Sequence, residues 1–110
     1  MAQFTVKLRY FRLAPRKARL VADRIRGLPV QEALDILTFS PVASAVQFAK
    51  LVRSAISNAD RKGGVDLDHL KVSTVMVDQG PTLRRFMTRA RGSASRINKK
   101  TSHVTLVLED

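Results

Sequence analysis

The sequence predicts an α+β fold with three helices, three strands and a long β-hairpin that protrudes from the sheet. Three observations predict it. Alternating apolar residues mark strands near both ends of the chain, and Pro and Gly residues bracket helical-period segments after the first strand. Residues 80–103 then form a basic stretch too long for an ordinary connection.

In chain order, Phe4, Val6, Leu8 and Tyr10 alternate with Thr5, Lys7 and Arg9, the pattern of a first strand with one buried face. Pro15 suits the first position of a helix and Gly27 the residue after its last turn, which predicts a helix over 15–26. Its core face is Ala18, Val21, Ala22 and Ile25; Arg16, Arg19, Arg24 and Arg26 point away, and Leu20 falls on the basic side. Val30, Ala33, Leu34 and Leu37 predict a short second helix over 30–39. Ser40-Pro41 reads as a cap and first-turn proline opening a third helix that Gly63-Gly64 closes, about 22 residues and roughly 33 Å long. Its expected stripe is Val42, Ala45, Val46, Ala49, Val52 and Ile56, with Phe48 and Ala59 at one edge and Arg53 interrupting the other. Leu70–Val77 and Val104–Leu108 predict two more strands, each able to pair with the other or with the first.

The stretch between those strands carries Arg84, Arg85, Arg89, Arg91, Arg96, Lys99 and Lys100, with no acid from Pro81 to Lys100. It reads as a hairpin with its turn near Arg89–Gly92 and about nine residues per arm, projecting roughly 30 Å. A two-stranded arm is marginal in water, and like charges along it weaken it further. Ordering such an arm costs on the order of 20 kcal/mol of backbone freedom. An anionic partner is therefore expected to compensate it, and the arm is expected to be mobile in the free protein.

Charge points the same way. The chain of 110 residues holds 20 Lys+Arg and 9 Asp+Glu, a net charge of +11 and a pI of about 11.3. Residues 1–28 contain eight bases and one acid, residues 29–80 five bases and six acids, and residues 81–110 seven bases and two acids. An ordinary globular segment is thus flanked by two cationic ones. Thirteen of the bases are Arg, whose planar fork suits phosphate oxygens better than a Lys point charge does. A polyanion is the expected partner, nucleic acid before others, and two basic surfaces on one small domain suit folded RNA that engulfs it better than a straight duplex. The acid-free first 22 residues are expected to belong to the fold rather than to a transit peptide, because they run directly into a helix with its own stop.

Several chemistries are disfavoured. The chain has no Cys, so disulfides, Cys-ligated zinc and thiol catalysis are excluded. No apolar run approaches the ~20 residues of a membrane span, so no membrane partner is expected. Asp66, Asp68 and His69 match no all-protein metal site, and loop acids beside a glycine pair usually turn the chain. Ser102-His103 lacks an orienting acid for a triad. Gly63-Gly64 is a helix stop, without the Lys-Ser/Thr of a phosphate loop.

Larger blocks then carry a resemblance. Pro15-Arg16-Lys17-Ala18-Arg19-Leu20-Val21-Ala22-Asp23 with Ile25-Arg26-Gly27 comes first, followed by Ala33-Leu34 with Ile36-Leu37 and by Ser54-Ala55-Ile56 with Asn58-Ala59. Val77-Asp78 with Gly80-Pro81, Arg89-Ala90-Arg91-Gly92 and Lys100-Thr101-Ser102-His103-Val104 complete the series. In order and spacing, from about residue 7 to residue 108, these resemble the bacterial-type large-subunit ribosomal protein twenty-two family. Ala14, Thr88 and Ser93 depart from the family's common Ser, Pro and Arg.

The resemblance implies three helices packed on a three-stranded antiparallel sheet with a long protruding β-hairpin, all within one domain of residues 1–110. It implies a structural protein that binds large-subunit ribosomal RNA, assists subunit assembly and lines the nascent-peptide exit tunnel with its hairpin. Its expected partners are that RNA, neighbouring large-subunit ribosomal proteins and the nascent polypeptide, without homo-oligomers. No enzymatic activity, metal or cofactor is expected, and the location is the ribosome, cytoplasmic or organellar. The residues expected to bind RNA are Arg12, Arg16, Lys17, Arg19, Arg84, Arg85, Arg89, Arg91, Arg96, Lys99, Lys100, Ser102 and His103. Those expected to face the tunnel are Arg84, Arg85, Met87, Arg89 and Arg91. The competing reading is a non-ribosomal, sequence-tolerant DNA-binding protein, although no recognition helix with base-reading Asn or Gln is evident.

Overall fold

The computed structural model describes residues 3–64, 66–88 and 94–110, and for 83–88 and 94–98 the backbone only. The chain runs β1 (Gln3–Phe11), α1 (Pro15–Ile25), α2 (Val30–Phe39), α3 (Ala45–Lys62), a single 3-10 turn (Leu67–His69), β2 (Lys71–Gln79), β3 (Leu83–Thr88), β4 (Ala94–Lys99) and β5 (Ser102–Glu109). Three strands form an antiparallel sheet in the order β1-β5-β2, and β3 and β4 pair as a separate two-stranded sheet. Three helices on a three-stranded sheet is the expected architecture. The strands left unpaired by the sequence resolve with β5 in the centre.

The central place of β5 follows from its alternation. Val104, Leu106 and Leu108 are fully buried on one face, while His103, Thr105 and Val107 remain half-buried on the other. Against the apolar face, α1 packs on β2, α3 crosses β1 and β5, and α2 leans on α3. The close approach of α3 is possible because Ala45, Ala49, Ala55 and Ala59 are buried on it. Phe48 of α3 meets Phe11 of β1 edge-on, with ring centroids 6.3 Å apart.

The third helix departs from expectation. It begins at Ala45, not Pro41, because the Ser40 hydroxyl accepts from the Val42 N–H at 3.3 Å and holds a turn there instead of capping a helix. Ala45, Val46 and Gln47 then donate to carbonyls three residues back, a tight lead-in to the regular helix. At 18 residues the helix spans roughly 27 Å. Its buried face is centred on Ala45, Phe48, Val52, Ala55 and Ala59, so Val42 and Val46 are exposed and the stripe is turned toward Phe48. Arg53 is exposed.

The first strand also corrects a prediction. Leu8 pairs with Val104 and Phe11 with Ser102, so Arg9 and Tyr10 together oppose the single residue His103. This bulge breaks the alternation, and Tyr10 is 64% exposed while Phe11 takes the inward place. Tyr10 has φ +57°, a left-handed conformation costing an aromatic residue of order 1 kcal/mol.

The stop after α1 behaves as predicted. Gly27 adopts φ +83°, and its N–H donates to the Val72 carbonyl at 2.7 Å. The same turn continues along β2, with the Val72 N–H donating to Leu28 and the Val30 N–H to Leu70. The Ala14 side chain supplies no cap at the other end of α1.

The molecule measures 65 × 25 × 18 Å and has a radius of gyration of 17.1 Å, against roughly 13 Å for a compact chain of this length. The β3–β4 ladder runs from Leu83 opposite Lys99 to Thr88 opposite Ala94, six paired residues per arm or roughly 20 Å. The predicted turn at Arg89–Gly92 lies outside the described residues.

Candidate nucleic-acid interface

The orientation of α1 sets where the basic residues gather. Arg19 donates to the Val77 carbonyl at 3.1 Å and Arg26 to the Val75 carbonyl at 2.7 Å, while Gly27 reaches Val72. Helix α1 therefore runs antiparallel to β2, with its N-terminal end beside the hairpin. Arg19 and Arg26 lie off the core face and are exposed, as their helical positions predict, yet each also uses part of its guanidinium to complete β2. Arg26 also bonds Asp23 at 2.7 Å. Arg16, Lys17 and Arg19 are exposed at the hairpin end.

The hairpin leaves the body through a built neck. The Gly80 N–H donates to the Thr101 carbonyl at 2.9 Å, and the Thr101 hydroxyl donates to the Pro81 carbonyl across the two legs. Gly80 is required by space: a Cβ there would lie 2.6 Å from the Thr101 Oγ1. Ser102 follows, fully buried, its hydroxyl donating to the Leu13 carbonyl at 2.6 Å. That removes Ser102 from the expected RNA-facing set, since its only polar side-chain atom is spent inside the fold. The bond also ties the segment carrying the exposed Arg12 to the neck carrying the exposed Lys99 and Lys100.

His103 is half-buried and serves the fold as well. Its Nδ1 accepts from the Tyr10 N–H at 3.1 Å, and the two rings meet edge-on with centroids 4.9 Å apart. On this open face of the sheet Lys7, Arg9, Tyr10, Asp78, His103 and Thr105 line a shallow depression. Sequence reasoning treated Lys7 and Arg9 only as the polar partners of an alternating strand and did not bring them to this depression. Their signal was available, because Lys7 and Arg9 stand two apart and so share a strand face.

The ladder of β3 and β4 pairs Arg84 with Asn98, Arg85 with Ile97, Phe86 with Arg96 and Met87 with Ser95. It brings Arg84, Arg85 and Arg96 onto one arm of the molecule, where the backbone alone is described. Arg89 and Arg91 lie outside the described residues.

A surface of different character lies between α1, α2 and the 40–44 turn. Leu13, Leu20, Val21, Ile36, Leu37 and Val42 form an apolar groove of about 390 Å³ rimmed by Lys17 and Arg24. Leu20, assigned by its helical position to the basic side, sits here and is exposed. On the far side of the body, Asp66 does turn the chain: its Oδ1 accepts from the Asp68 N–H at 3.0 Å, and its Oδ2 pairs with His69 at 3.2 Å. Among the described residues no group of three or more acids and His converges as metal ligands, and no helix is long and apolar enough to cross a membrane.

Arg12, Arg16, Lys17, Arg19, Lys99 and Lys100 thus gather at the end of an α+β body from which a two-stranded arm departs. Residues 6–109 match the sequence family described as Ribosomal protein L22p/L17e. The chain belongs to this family of large-subunit ribosomal proteins. Within an L22p/L17e protein the blocks Val77–Pro81 and Lys100–Val104 have a plain physical meaning, since they are the two legs of the hairpin neck. The block Pro15–Gly27 likewise combines a core face with two arginines that complete β2.

Proposed function

We propose that this ribosomal protein binds large-subunit ribosomal RNA through the hairpin end of its body, assists subunit assembly, and lines the nascent-peptide exit tunnel with the hairpin. The observation that carries the reading is the gathering of Arg12, Arg16, Lys17, Arg19, Lys99 and Lys100, all exposed, around the base of an arm bearing Arg84, Arg85 and Arg96. Phosphates held by so many charge-assisted bonds offset the cost of ordering the arm. The role is structural and non-enzymatic, residues 1–110 act as one domain, and the protein works within the ribosome in the cytoplasm. Arg89, Arg91 and Met87 belong with Arg84 and Arg85 to the tunnel-lining part. The apolar groove between α1 and α2 supports contact with a neighbouring ribosomal protein, because phosphates have no use for such a surface.

Sedimentation of a lightly tagged copy from gently lysed source cells, with magnesium and again after a high-salt wash, tests the reading. Co-migration with the large subunit that survives the wash is expected. Migration as a free small protein, or with nucleoid DNA, would overturn it in favour of a DNA-binding role.

A further inference from the structure

The bulge in β1 solves no packing problem that a simpler residue would not solve better. A bulge needs one residue out of register, and at φ +57° Gly or Asn takes that place with less strain than Tyr. The ring is also not needed inside, since Tyr10 is exposed and Phe11 fills the inward position. What the bulge achieves is to direct two consecutive side chains, Arg9 and Tyr10, onto the same open face of the sheet. The His103 Nδ1 holds this backbone by accepting the Tyr10 N–H, which leaves the His103 Nε2 free of that bond.

The depression so formed has about 240 Å³, below the range that takes drug-sized ligands and suited to a single heterocycle. Its chemistry is specific. Lys7 and Arg9 supply cations, Tyr10 an exposed aromatic face, and Asp78 a carboxylate on the strand across β5. Two bases beside one acid still attract a phosphate, while the carboxylate can accept hydrogen bonds from the N–H groups on a base edge. Proteins read RNA mostly at unstacked nucleotides, by stacking the base on an aromatic ring and bonding its edge.

We propose that the depression lined by Lys7, Arg9, Tyr10, Asp78 and His103 binds one unpaired nucleotide of RNA, with its base stacked on Tyr10 and its phosphate held by Lys7 and Arg9. Asp78 accepts from the base edge, which favours a base presenting adjacent N–H donors. The inference rests on the RNA-binding reading above and adds a base-reading site to what is otherwise phosphate recognition.

The test uses the full chain and deproteinised large-subunit ribosomal RNA with magnesium, measured by filter binding over a salt series. Tyr10→Asn keeps the left-handed backbone and removes the ring; it is expected to lower affinity roughly 5- to 150-fold with an unchanged salt slope and no drop in thermal stability. Tyr10→Phe is expected to bind within about twofold of the parent, and Lys7→Ala with Arg9→Ala to flatten the slope. Tyr10→Asn binding as the parent does would overturn the nucleotide site while leaving RNA binding intact, whereas an unmodified chain that fails to bind this RNA would overturn both readings. Ultraviolet cross-linking of the unmodified chain gives an independent answer. A nucleotide attached within residues 3–11 supports the site, and cross-links confined to other segments sink it.

Discussion

The body and the hairpin are both antiparallel ladders, yet they differ in what stabilises them. Strands β1, β5 and β2 bury Phe4, Val6, Val72, Val75, Val77, Val104, Leu106 and Leu108 under three helices, so their pairing is secured by apolar area removed from water. Strands β3 and β4 form a sheet of two strands whose sequences, Leu83–Thr88 and Ala94–Lys99, contain four bases and no acid. An isolated pair of strands is marginal even without that repulsion. One chain therefore contains a region that folds on its own interior and a two-stranded region that carries four like charges without an acid to offset them. A protein so divided can place its stability in one part and its affinity in another.

Substitutions should separate the two. The largest effect on stability is expected in the body: Leu106→Ala, at a fully buried site in the central strand, should cost about 3 kcal/mol in urea unfolding. A decrease under about 1 kcal/mol would show that the core does not govern stability. Next comes the junction. Gly80→Ala forces a methyl against the Thr101 hydroxyl and should cost about 2 kcal/mol, read as a lower melting temperature. Thr101→Val retains the shape and removes the bond to Pro81, for roughly 1 kcal/mol. At the far end of the series, Arg84→Ala, Arg85→Ala and Arg91→Ala together should leave the melting temperature within error. They should instead flatten the salt dependence of RNA binding by about 0.7 to 0.9 log units for each phosphate that is no longer neutralised. A hairpin variant that lowers the melting temperature as much as Gly80→Ala does would erase the division between the two regions.

Much of the fold was legible because each element announces its own period. Val104, Leu106 and Leu108 alternate, Ala18, Val21, Ala22 and Ile25 recur at helical spacing, and Gly27 and Gly63 stop helices as expected. The misreadings arise where the deciding partner is not visible in the local pattern. Ser40 has the chemistry of a cap, but its hydroxyl turns toward Val42. Tyr10 looked inward because one extra residue in a ladder inverts every later position, and nothing local records the insertion. A helical wheel sets Arg19 and Arg26 off the core face, where they are exposed, but carries no sign that their donors reach carbonyls 58 and 49 residues along the chain.

The candidate site was legible in its charge and less so in its members. Clustered Arg and Lys pointed to a polyanion, and they named the hairpin and the start of α1. Ser102 entered with them because a recurring motif does not say whether a residue serves binding or folding. In the structure Ser102 is a buried tie and His103 an acceptor for a backbone N–H. Lys7 and Arg9 were overlooked for the converse reason, since ordinary strand polarity accounted for them.

The bonds from Arg19 and Arg26 to β2 also bear on how one copy of the chain meets another. A sheet whose outer strand offers free carbonyls is a template for another copy of the same strand. Here Gly27–Val30 covers one half of that margin and the two guanidinium groups occupy carbonyls of the other, so this edge of the sheet is closed to strand-to-strand pairing. Arg26→Leu would cost the folded state little and yet uncover the margin, and its signature would be concentration-dependent light scattering at an almost unchanged melting temperature.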